Sequence, residues 1–236
     1  MKTLLFFLFG LVFGSFFNVV IYRLPRGMSL VRPRSHCPHC GHQLTIGELV
    51  PVVSFLLQNG RCTACRSRIS WRYPVVELTT GLGFALVAWR STVWYDYPVG
   101  LVFFSLLFVL ALIDLEHKLL PDVLNLPGIA LGLLFALFGW TLPFWSSVVG
   151  AAVGFGLLLT IALISRGGMG MGDVKLMALI GSFLGWKAVF YVLFGGALIG
   201  TVSGLLYLYK TKQGRKTPIP FGPSLALAAF LYYLFA

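Results

Sequence analysis

Long apolar runs fill most of this chain and limit the folds that it can adopt. The runs are continuous rather than alternating, and few charges interrupt them. About 20 consecutive apolar residues span a bilayer, and within lipid only helices or closed barrels satisfy every backbone hydrogen bond. Continuous runs favour helices, so the sequence predicts an all-α polytopic membrane protein with about eight transmembrane helices. The predicted spans are 3–21, 74–90, 98–113, 123–140, 147–165, 174–186, 188–209 and 219–235.

The composition favours lipid over water as the solvent, because 58% of the 236 residues are hydrophobic and only 11% are charged. A soluble domain usually carries about a quarter charged residues. Residues 1–21 also resemble a cleavable signal peptide, but the run has one charge, Lys2, and no Ala-x-Ala cleavage site follows it. We therefore expect 1–21 to be a retained first transmembrane helix. A soluble domain at 22–73 and a helical membrane core at 74–236 follow it.

The formal charge of +11 has a topological explanation. Fifteen of the 18 Lys and Arg residues fall in or beside four segments, 22–73, 114–122, 166–175 and 210–218. Cytoplasmic loops are enriched in Lys and Arg, so the pattern places these four segments in the cytoplasm and both termini outside. No nucleic-acid-binding motif accompanies the charge, which argues against nucleic acid as a partner. The expected contact is instead the lipid bilayer with its anionic headgroups.

All four cysteines of the chain lie in two CxxC motifs, CPHC and CTAC, inside the predicted soluble domain. Each motif brings two thiolates within reach of one metal ion, so the pattern predicts a zinc site formed by Cys37, Cys40, Cys62 and Cys65. Two disulfides are the alternative, but a cytoplasmic loop keeps its thiols reduced. A four-thiolate site has no open position for substrate, so the predicted role of the zinc is structural. The three nearby histidines are expected to be bystanders.

Two carboxylates stand at the predicted cytoplasmic edge of the membrane. Asp114 ends the third predicted span in ALIDLEHKLLPD, and Asp173 opens the sixth in GMGMGDVK. Ionisable residues at membrane depth are costly and are functional candidates by default. Two close carboxylates do not both ionise easily, so one keeps its proton while the other acts as a base, as in aspartic proteases. The sequence thus predicts a catalytic pair. The alternative for Asp173 is a helix N-cap that follows a Gly-rich turn.

The glycines ahead of Asp173 are expected to form a loop against which a substrate strand can lie, because glycine lets two backbones approach closely. The residues assigned to this motif are Gly168, Gly170, Gly172 and Lys175.

Three further acidic residues receive separate interpretations. Glu77, one turn into the second span, either pairs with Arg72 or faces a substrate amine, and both possibilities stay open. Asp122, just before the fourth span, is expected to be a helix N-cap. Glu48, in the soluble domain, is expected to be a solvated surface residue.

Five blocks of this sequence resemble the bacterial type IV prepilin peptidases, the leader peptidase/N-methyltransferase family, and they occur in order over nearly the whole chain. The GxGD element alone is shared with presenilin-like proteases, but the five blocks together are specific. The blocks are FGSFFNVVIYRLPRG at 13–27, the double CxxC, RYPVVELTTG at 72–81, IDLEHKLLPDVLNLP at 113–127 and GMGMGDVKLMALIG at 168–181.

The resemblance implies an enzyme of the bacterial inner membrane with its active site on the cytoplasmic side. Such an enzyme cuts the basic leader from prepilins and pseudopilins after a glycine, then methylates the new N-terminal residue with S-adenosylmethionine. The resemblance also implies that Asp114 and Asp173 are catalytic. Archaeal relatives lack the Cys domain and do not methylate, so its presence favours a bifunctional enzyme.

The methyltransferase activity rests on resemblance alone, because no GxGxxG motif follows a strand and no soluble α/β domain is predicted. Glu77 is a candidate for orienting the substrate amine. One alternative function is a GxGD intramembrane protease without methyltransferase activity. Another is a non-enzymatic carrier, although transporter sites lie near the bilayer midplane and the two aspartates are predicted at one face.

Overall fold

The computed structural model describes residues 1–165, 169–211 and 220–236, and the long elements in those residues are all helical. The chain divides into two compact units, Met1–Arg90 and Ser91–Ala236. The first unit contains α1 (Lys2–Arg23), α2 (Val53–Leu57) and α3 (Arg72–Arg90). The second contains α4 (Asp96–His117), α5 (Asp122–Leu137), α6 (Phe144–Ile164), α7 (Met171–Thr211) and α8 (Gly222–Phe235).

Four helices among the described residues are long and apolar enough to cross a membrane. Two more, α5 and α8, are apolar but shorter. These helices confirm the prediction of an all-helical, multi-pass membrane protein. The count of eight spans and the predicted boundary at residue 73 stay predictions. The four long candidates are Lys2–Arg26, Asp96–His117, Phe144–Ile164 and Met171–Tyr207.

The sixth and seventh predicted spans form one element, α7, with a break at Gly185. The backbone there has φ +78° and ψ 175°, which glycine adopts without steric cost. Before the break, Leu176 and Leu179 are fully buried, so this arm belongs to the core of the second unit. After the break, Val189 and Val192 are fully buried, while Tyr191 and Phe194 are 67% and 69% exposed, as expected of a face that meets lipid. The break therefore separates a first arm (171–184) from a second arm (186–211) that keeps one face exposed.

In the first unit, α1 and α3 pack through glycines spaced four residues apart. A Cβ placed on Gly10 would lie 2.8 Å from the Cα of Gly81, and one on Gly14 would lie 2.6 Å from the Cα of Glu77. Lipid tails are as apolar as leucine, so helices in a bilayer associate through such close contacts between small residues. The packing fixes Glu77 against α1.

The second unit has an even closer contact between α6 and α7. A Cβ on Gly150 would lie 2.2 Å from the carbonyl oxygen of Gly181, and one on Gly181 would lie 2.1 Å from the carbonyl oxygen of Gly150. One turn further along α6, a Cβ on Gly154 would lie 2.6 Å from the carbonyl oxygen of Met177. Backbone cannot yield as a flexible side chain can, so these glycines set the position of the first arm of α7.

Gly150→Ala is expected to destabilise the protein by about 1–3 kcal/mol, because the added methyl group overpacks a rigid backbone contact. Gly156→Ala, on the same helix, is the matched control, since a Cβ there meets nothing within 4 Å. Thermal unfolding in detergent should show a lower midpoint for Gly150→Ala and an unchanged or higher midpoint for Gly156→Ala. Equal midpoints would contradict the backbone contact.

Candidate functional site

The two aspartates singled out from the sequence lie close together in the second unit. Asp114 occupies the last turn of α4 and is 6% exposed, while Asp173 occupies the first turn of α7 and is 9% exposed. Charge on Asp114 acts electrostatically on Asp173. The end of α4 and the start of α7 thus bring two buried carboxylates together. Such a pair is the arrangement expected for acid–base catalysis.

A third helix holds Asp114. The backbone N–H of Gly222, the first residue of α8, donates to Oδ2 of Asp114 at 3.1 Å. A helix N-terminus favours negative charge, so this contact suits an ionised carboxylate. A Cβ on Gly222 would lie 2.7 Å from the same oxygen, which leaves no room for a larger residue. The sequence reasoning missed Gly222, although the Gly-Pro pair at 222–223 signals the start of a helix.

Asp173 has one carboxylate oxygen without a partner among the described residues. Its N–H donates to the carbonyl oxygen of Gly170 at 3.1 Å, which starts the first turn of α7. Its Oδ1 atom is buried and has no hydrogen-bond partner among the described residues. A buried oxygen of this kind is suited to bind a polar group that arrives with the reaction, such as water or substrate.

Leu120 connects the two aspartate-bearing helices to α8. Its side chain lies 2.8 Å from the Cβ position of Gly172 and 3.4 Å from that of Gly222. The Leu120 carbonyl oxygen accepts a hydrogen bond from Nδ2 of the buried Asn125 at 3.3 Å. Leu120, in the connection between α4 and α5, thus provides an apolar surface beside the two carboxylates.

The glycine motif differs from the predicted loop. Gly168 lies outside the described residues, and Gly170 precedes α7. Gly172 is helical, because α7 begins at Met171 and not at residue 174 as predicted, so its expected place in the loop was wrong. Lys175 is helical, as the predicted span 174–186 required. Asp173 is likewise the third residue of the helix rather than its N-cap.

Lys175 makes a contact that the sequence reasoning missed. Its Nζ atom lies 2.7 Å from both carboxylate oxygens of Asp122. The expected N-cap role of Asp122 was wrong, since Pro121 occupies that position and Asp122 is the first residue of α5. The ion pair joins the first turns of α5 and α7. Its exposure makes it a weak contributor to stability.

The four cysteines form a second cluster, in the first unit. Their Sγ atoms all lie within 4.8 Å of one another. The Sγ atoms of Cys37 and Cys65 are 3.8 Å apart, and a tetrahedron with Zn–S bonds of about 2.3 Å has edges of about 3.8 Å. The spacing therefore fits one tetrahedral metal ion bound by Cys37, Cys40, Cys62 and Cys65.

The two CxxC motifs have the same backbone structure. In each, the N–H of the first cysteine donates to the carbonyl five residues later at 2.9 Å. The residue after the second cysteine has positive φ, +73° at Gly41 and +59° at Arg66. Isolated antiparallel bridges, His36 with Gln43 and Arg61 with Arg68, flank the two turns. We call these two turns, residues 37–41 and 62–66, the cysteine knuckles. Two equivalent knuckles are typical of a metal site with four cysteine ligands.

The thiols favour a cation by their own electrostatics. Hydrogen bonds from the backbone N–H groups of Cys40 and His39 lower the pKa of Cys37 to about 6. The backbone N–H of His42 lowers the pKa of Cys40, but burial and the other three cysteines outweigh it and raise that pKa to about 11. The raised pKa of Cys40 shows that the cluster resists a further negative charge, and a bound cation would remove that penalty because zinc binds cysteines as thiolates.

Glu48 ties the two knuckles together, so its expected role as a solvated residue was wrong. Its carboxylate accepts the Thr45 N–H at 2.8 Å and lies 3.2 Å from Nε2 of His42. It also accepts the hydroxyl of Thr63, next to Cys62. The Thr45 N–H and then the two threonine hydroxyls lower the pKa of Glu48 to about 2. An ionised carboxylate therefore bridges the two halves of the cluster.

Glu77 lies on α3 in the first unit, 7% exposed. Its Oε2 accepts the N–H of Val52 at 2.8 Å, and Ser15 of α1 also hydrogen-bonds to it. Val52 has φ +61°, which is rare for a β-branched residue and persists only where the surroundings impose it. The loop at 50–52 is therefore held onto the Glu77 carboxylate.

Comparisons with known proteins agree over nearly the whole chain. Residues 8–91 match the family model of the bacterial peptidase A24 N-terminal domain, and residues 101–205 match that of the type IV leader peptidase family. The first match covers the cysteine cluster and Glu77, and the second covers both aspartates. No solved structure matches this chain.

Several curated relatives carry the name prepilin leader peptidase/N-methyltransferase. The chain is 38% identical to the protein of that name from Bacillus subtilis (strain 168), over 97% of this chain and 92% of the relative. It is 38% identical to one from Aeromonas salmonicida (strain A449), over 97% and 89%. It is 36% identical to one from Pseudomonas aeruginosa, over 96% and 88%. At this identity and coverage, the chain belongs to the type IV leader peptidase family.

Proposed function

We propose that this protein is an aspartic endopeptidase of the bacterial inner membrane. It removes the basic leader of type IV prepilins or pseudopilins after a glycine, at the cytoplasmic face, and then methylates the new N-terminus. The observation that carries the peptidase proposal is the pairing of Asp114 and Asp173, buried at adjoining helix ends. The names of the curated relatives support the substrate class and the second activity.

In the proposed mechanism, a water molecule binds between the two carboxylates. Asp114 acts as the base, because the Gly222 N–H stabilises its ionised form, and it removes a proton while the water oxygen attacks the scissile carbonyl carbon. Asp173 gives its proton to the carbonyl oxygen. The C–N bond of the tetrahedral intermediate then breaks, and the departing amine takes the proton held by Asp114. One hydroxyl of the intermediate returns its proton to Asp173 as the C=O bond of the new carboxyl group forms, which restores both aspartates.

The charge distribution of the sequence supports a cytoplasmic site. Asp114 and Asp173 lie within two of the four segments that hold most of the Lys and Arg residues, 114–122 and 166–175. A prepilin with a basic leader and an apolar segment presents its scissile bond at that same interface. A transporter site would instead be expected near the midplane, which makes the carrier function the weaker candidate.

The proposed methyl transfer needs a nucleophilic amine and a methyl donor. When bound, S-adenosylmethionine would supply an electrophilic methyl group and would leave as the neutral thioether S-adenosylhomocysteine. The substrate ammonium would first release one proton to solvent, so that the free amine is the nucleophile. We assign the orienting of that amine to Glu77, a buried carboxylate that can accept its hydrogen bond.

The cysteine cluster is proposed to hold one structural zinc ion. All four ligands come from the protein, so the ion supplies folding energy and not chemistry. The purified protein is expected to contain about one zinc per chain by elemental analysis. The variant Cys62→Ser lacks one of the four ligands and is expected to contain much less zinc than the wild type.

Glu48→Gln is expected to weaken zinc retention about tenfold, since groups that orient metal ligands typically contribute 10–100-fold to affinity. The amide keeps the size of the side chain but loses the charge that holds two threonines and His42. Competition with a chelator would measure the change. Gln58→Glu, a charge change elsewhere in the same domain, is the control and should retain zinc as the wild type does.

The decisive experiment incubates the purified full chain with a prepilin and S-adenosylmethionine and reads the products by mass spectrometry. The expected product lacks its leader and is one methyl group heavier. A prepilin with Ala in place of the Gly before the cut should not be processed, which separates this function from a general intramembrane protease. Cleavage without methylation would remove the transferase activity. Absence of cleavage by a zinc-loaded protein would overturn the peptidase proposal.

A further inference from the structure

The first unit contains a cavity of about 530 Å³ that the peptidase mechanism does not use. It lies between the second half of α1, the start of α3 and the cysteine knuckles. Pockets of about 300–1,000 Å³ hold small-molecule ligands and cofactors. The cavity is lined by Ser15, Val19 and Tyr22 of α1 and by Tyr73 and Glu77 of α3, among other residues.

The cavity carries opposite charges along its length. Glu77, near Ser15, supplies a buried carboxylate. Arg23 is 7% exposed and donates to two neutral carbonyls, those of Ser29 at 3.0 Å and Pro33 at 2.8 Å. Eight residues of helix separate Ser15 from Arg23, which corresponds to about 12 Å. A ligand with both cationic and anionic groups matches such a site.

Two further features point to a bound polar ligand. Asn18 lines the cavity, is 3% exposed, and has an Oδ1 atom with no partner among the described residues. Its Nδ2 atom is already used by the carbonyl oxygens of Gly14 and Tyr73. Buried polar atoms are rarely left unpaired. The strained backbone at Val52, held on the Glu77 carboxylate, is the second feature, because such strain clusters at functional sites.

We infer that this cavity binds the methyl donor, S-adenosylmethionine, with its sulfonium beside Glu77. This inference rests on the methyltransferase part of the proposed function and assigns it a site. Among common cofactors, this donor combines a sulfonium and an ammonium with a carboxylate and a flat aromatic base. The carboxylate of Glu77 attracts the sulfonium, and the aromatic ring of Tyr73 lines the same cavity, where it can stack on the base or on a cation. One face of the Tyr22 ring already carries the Arg26 guanidinium, 4.1 Å from the ring centroid.

The test measures binding and not turnover. Radiolabelled S-adenosylmethionine is equilibrated with the zinc-loaded full chain in detergent, without prepilin, by dialysis. Val19→Trp fills the cavity and is expected to weaken binding at least about tenfold. Val12→Trp is the matched control, because Val12 lies on the same helix but is 59% exposed on the outer face, and it should bind as the wild type does.

A second variant tests the charge. Glu77→Gln is expected to weaken binding of S-adenosylmethionine about tenfold, as the loss of a charge-assisted contact does. Binding of S-adenosylhomocysteine, a neutral thioether in place of the sulfonium, should change less than about twofold. Leader cleavage and zinc content, measured on each variant, show that the fold is intact.

The outcomes separate this inference from the proposed function. If the wild type methylates prepilin but Val19→Trp binds the donor unchanged while still cleaving leaders, the cavity assignment is wrong and the function stands. If Glu77→Gln weakens the binding of S-adenosylmethionine and of S-adenosylhomocysteine equally, the sulfonium is not beside Glu77. If the wild type neither binds the donor nor methylates, the transferase function fails and this inference fails with it.

Discussion

Asp114→Asn and Asp173→Asn should each reduce leader cleavage by at least about 10³-fold, because each variant removes one partner of an acid–base pair that works only as a unit. Asparagine keeps the shape of the side chain and can neither take nor give the proton. The initial rate of prepilin cleavage by purified protein in detergent measures the effect. Both variants should retain zinc and unfold at temperatures close to that of the wild type.

Asp96→Asn provides the matched control for this pair. Asp96 begins the same helix that Asp114 ends, and its Oδ2 caps the turn by accepting the N–H groups of Thr92 at 3.0 Å and Val93 at 3.2 Å. Its loss should leave the cleavage rate unchanged. If Asp114→Asn or Asp173→Asn cleaves within tenfold of the wild-type rate, the substituted residue is excluded from catalysis. A substrate that is supplied without its leader should still be methylated by Asp114→Asn and by Asp173→Asn.

Gly222→Ala should reduce the turnover of leader cleavage by about 10–100-fold, because its new Cβ would lie 2.7 Å from Oδ2 of Asp114. The clash must move either the carboxylate or the start of α8, and a misplacement of about 1 Å can cost about 100-fold in rate. Alanine is otherwise a better helix residue than glycine. A loss of activity would therefore report the contact and not a weaker helix.

Gly195→Ala is the control for Gly222→Ala. Gly195 lies in α7 beside α8, and a Cβ there would make an ordinary contact at 3.4 Å with Ala228. Full activity of Gly195→Ala together with an inactive but folded Gly222→Ala would support the geometry around Asp114. Full activity of both would show that the Gly222 contact does not position the catalytic carboxylate.

The sequence carries most of the information about the helices and little about how they meet. Hydropathy located the helical segments because the lipid requirement is local and continuous along each run. The break in α7 was placed near Lys187, where the charge interrupts the run, but it falls at Gly185, where the backbone turns. Hydropathy does not record a change of φ at one glycine.

The candidate site shows the same division between local and distant information. Asp114 and Asp173 stood out because a carboxylate at a membrane edge is costly wherever it lies. Gly222 did not stand out, because its role depends on a contact with a residue 108 positions earlier. The pairing of Lys175 with Asp122, 53 positions apart, and the bridge made by Glu48 were missed for the same reason. Groups that share a chemistry, such as two carboxylates or four thiols, can be paired from the sequence, whereas the contacts of a backbone amide such as that of Gly222 cannot.

The hydrogen bond from Gly222 to Asp114 also has a consequence for biosynthesis. Ribosomes add about 5–20 residues per second, so the 108 positions between the two residues correspond to roughly 5–20 s of translation. During that interval α4 has left the ribosome, but the amide that holds its carboxylate does not yet exist. Asp173 also emerges before that amide. A nascent chain thus contains both aspartates before the amide of Gly222 can bind Asp114. Under the proposed mechanism, we expect peptidase activity to begin only after α8 has packed against α4.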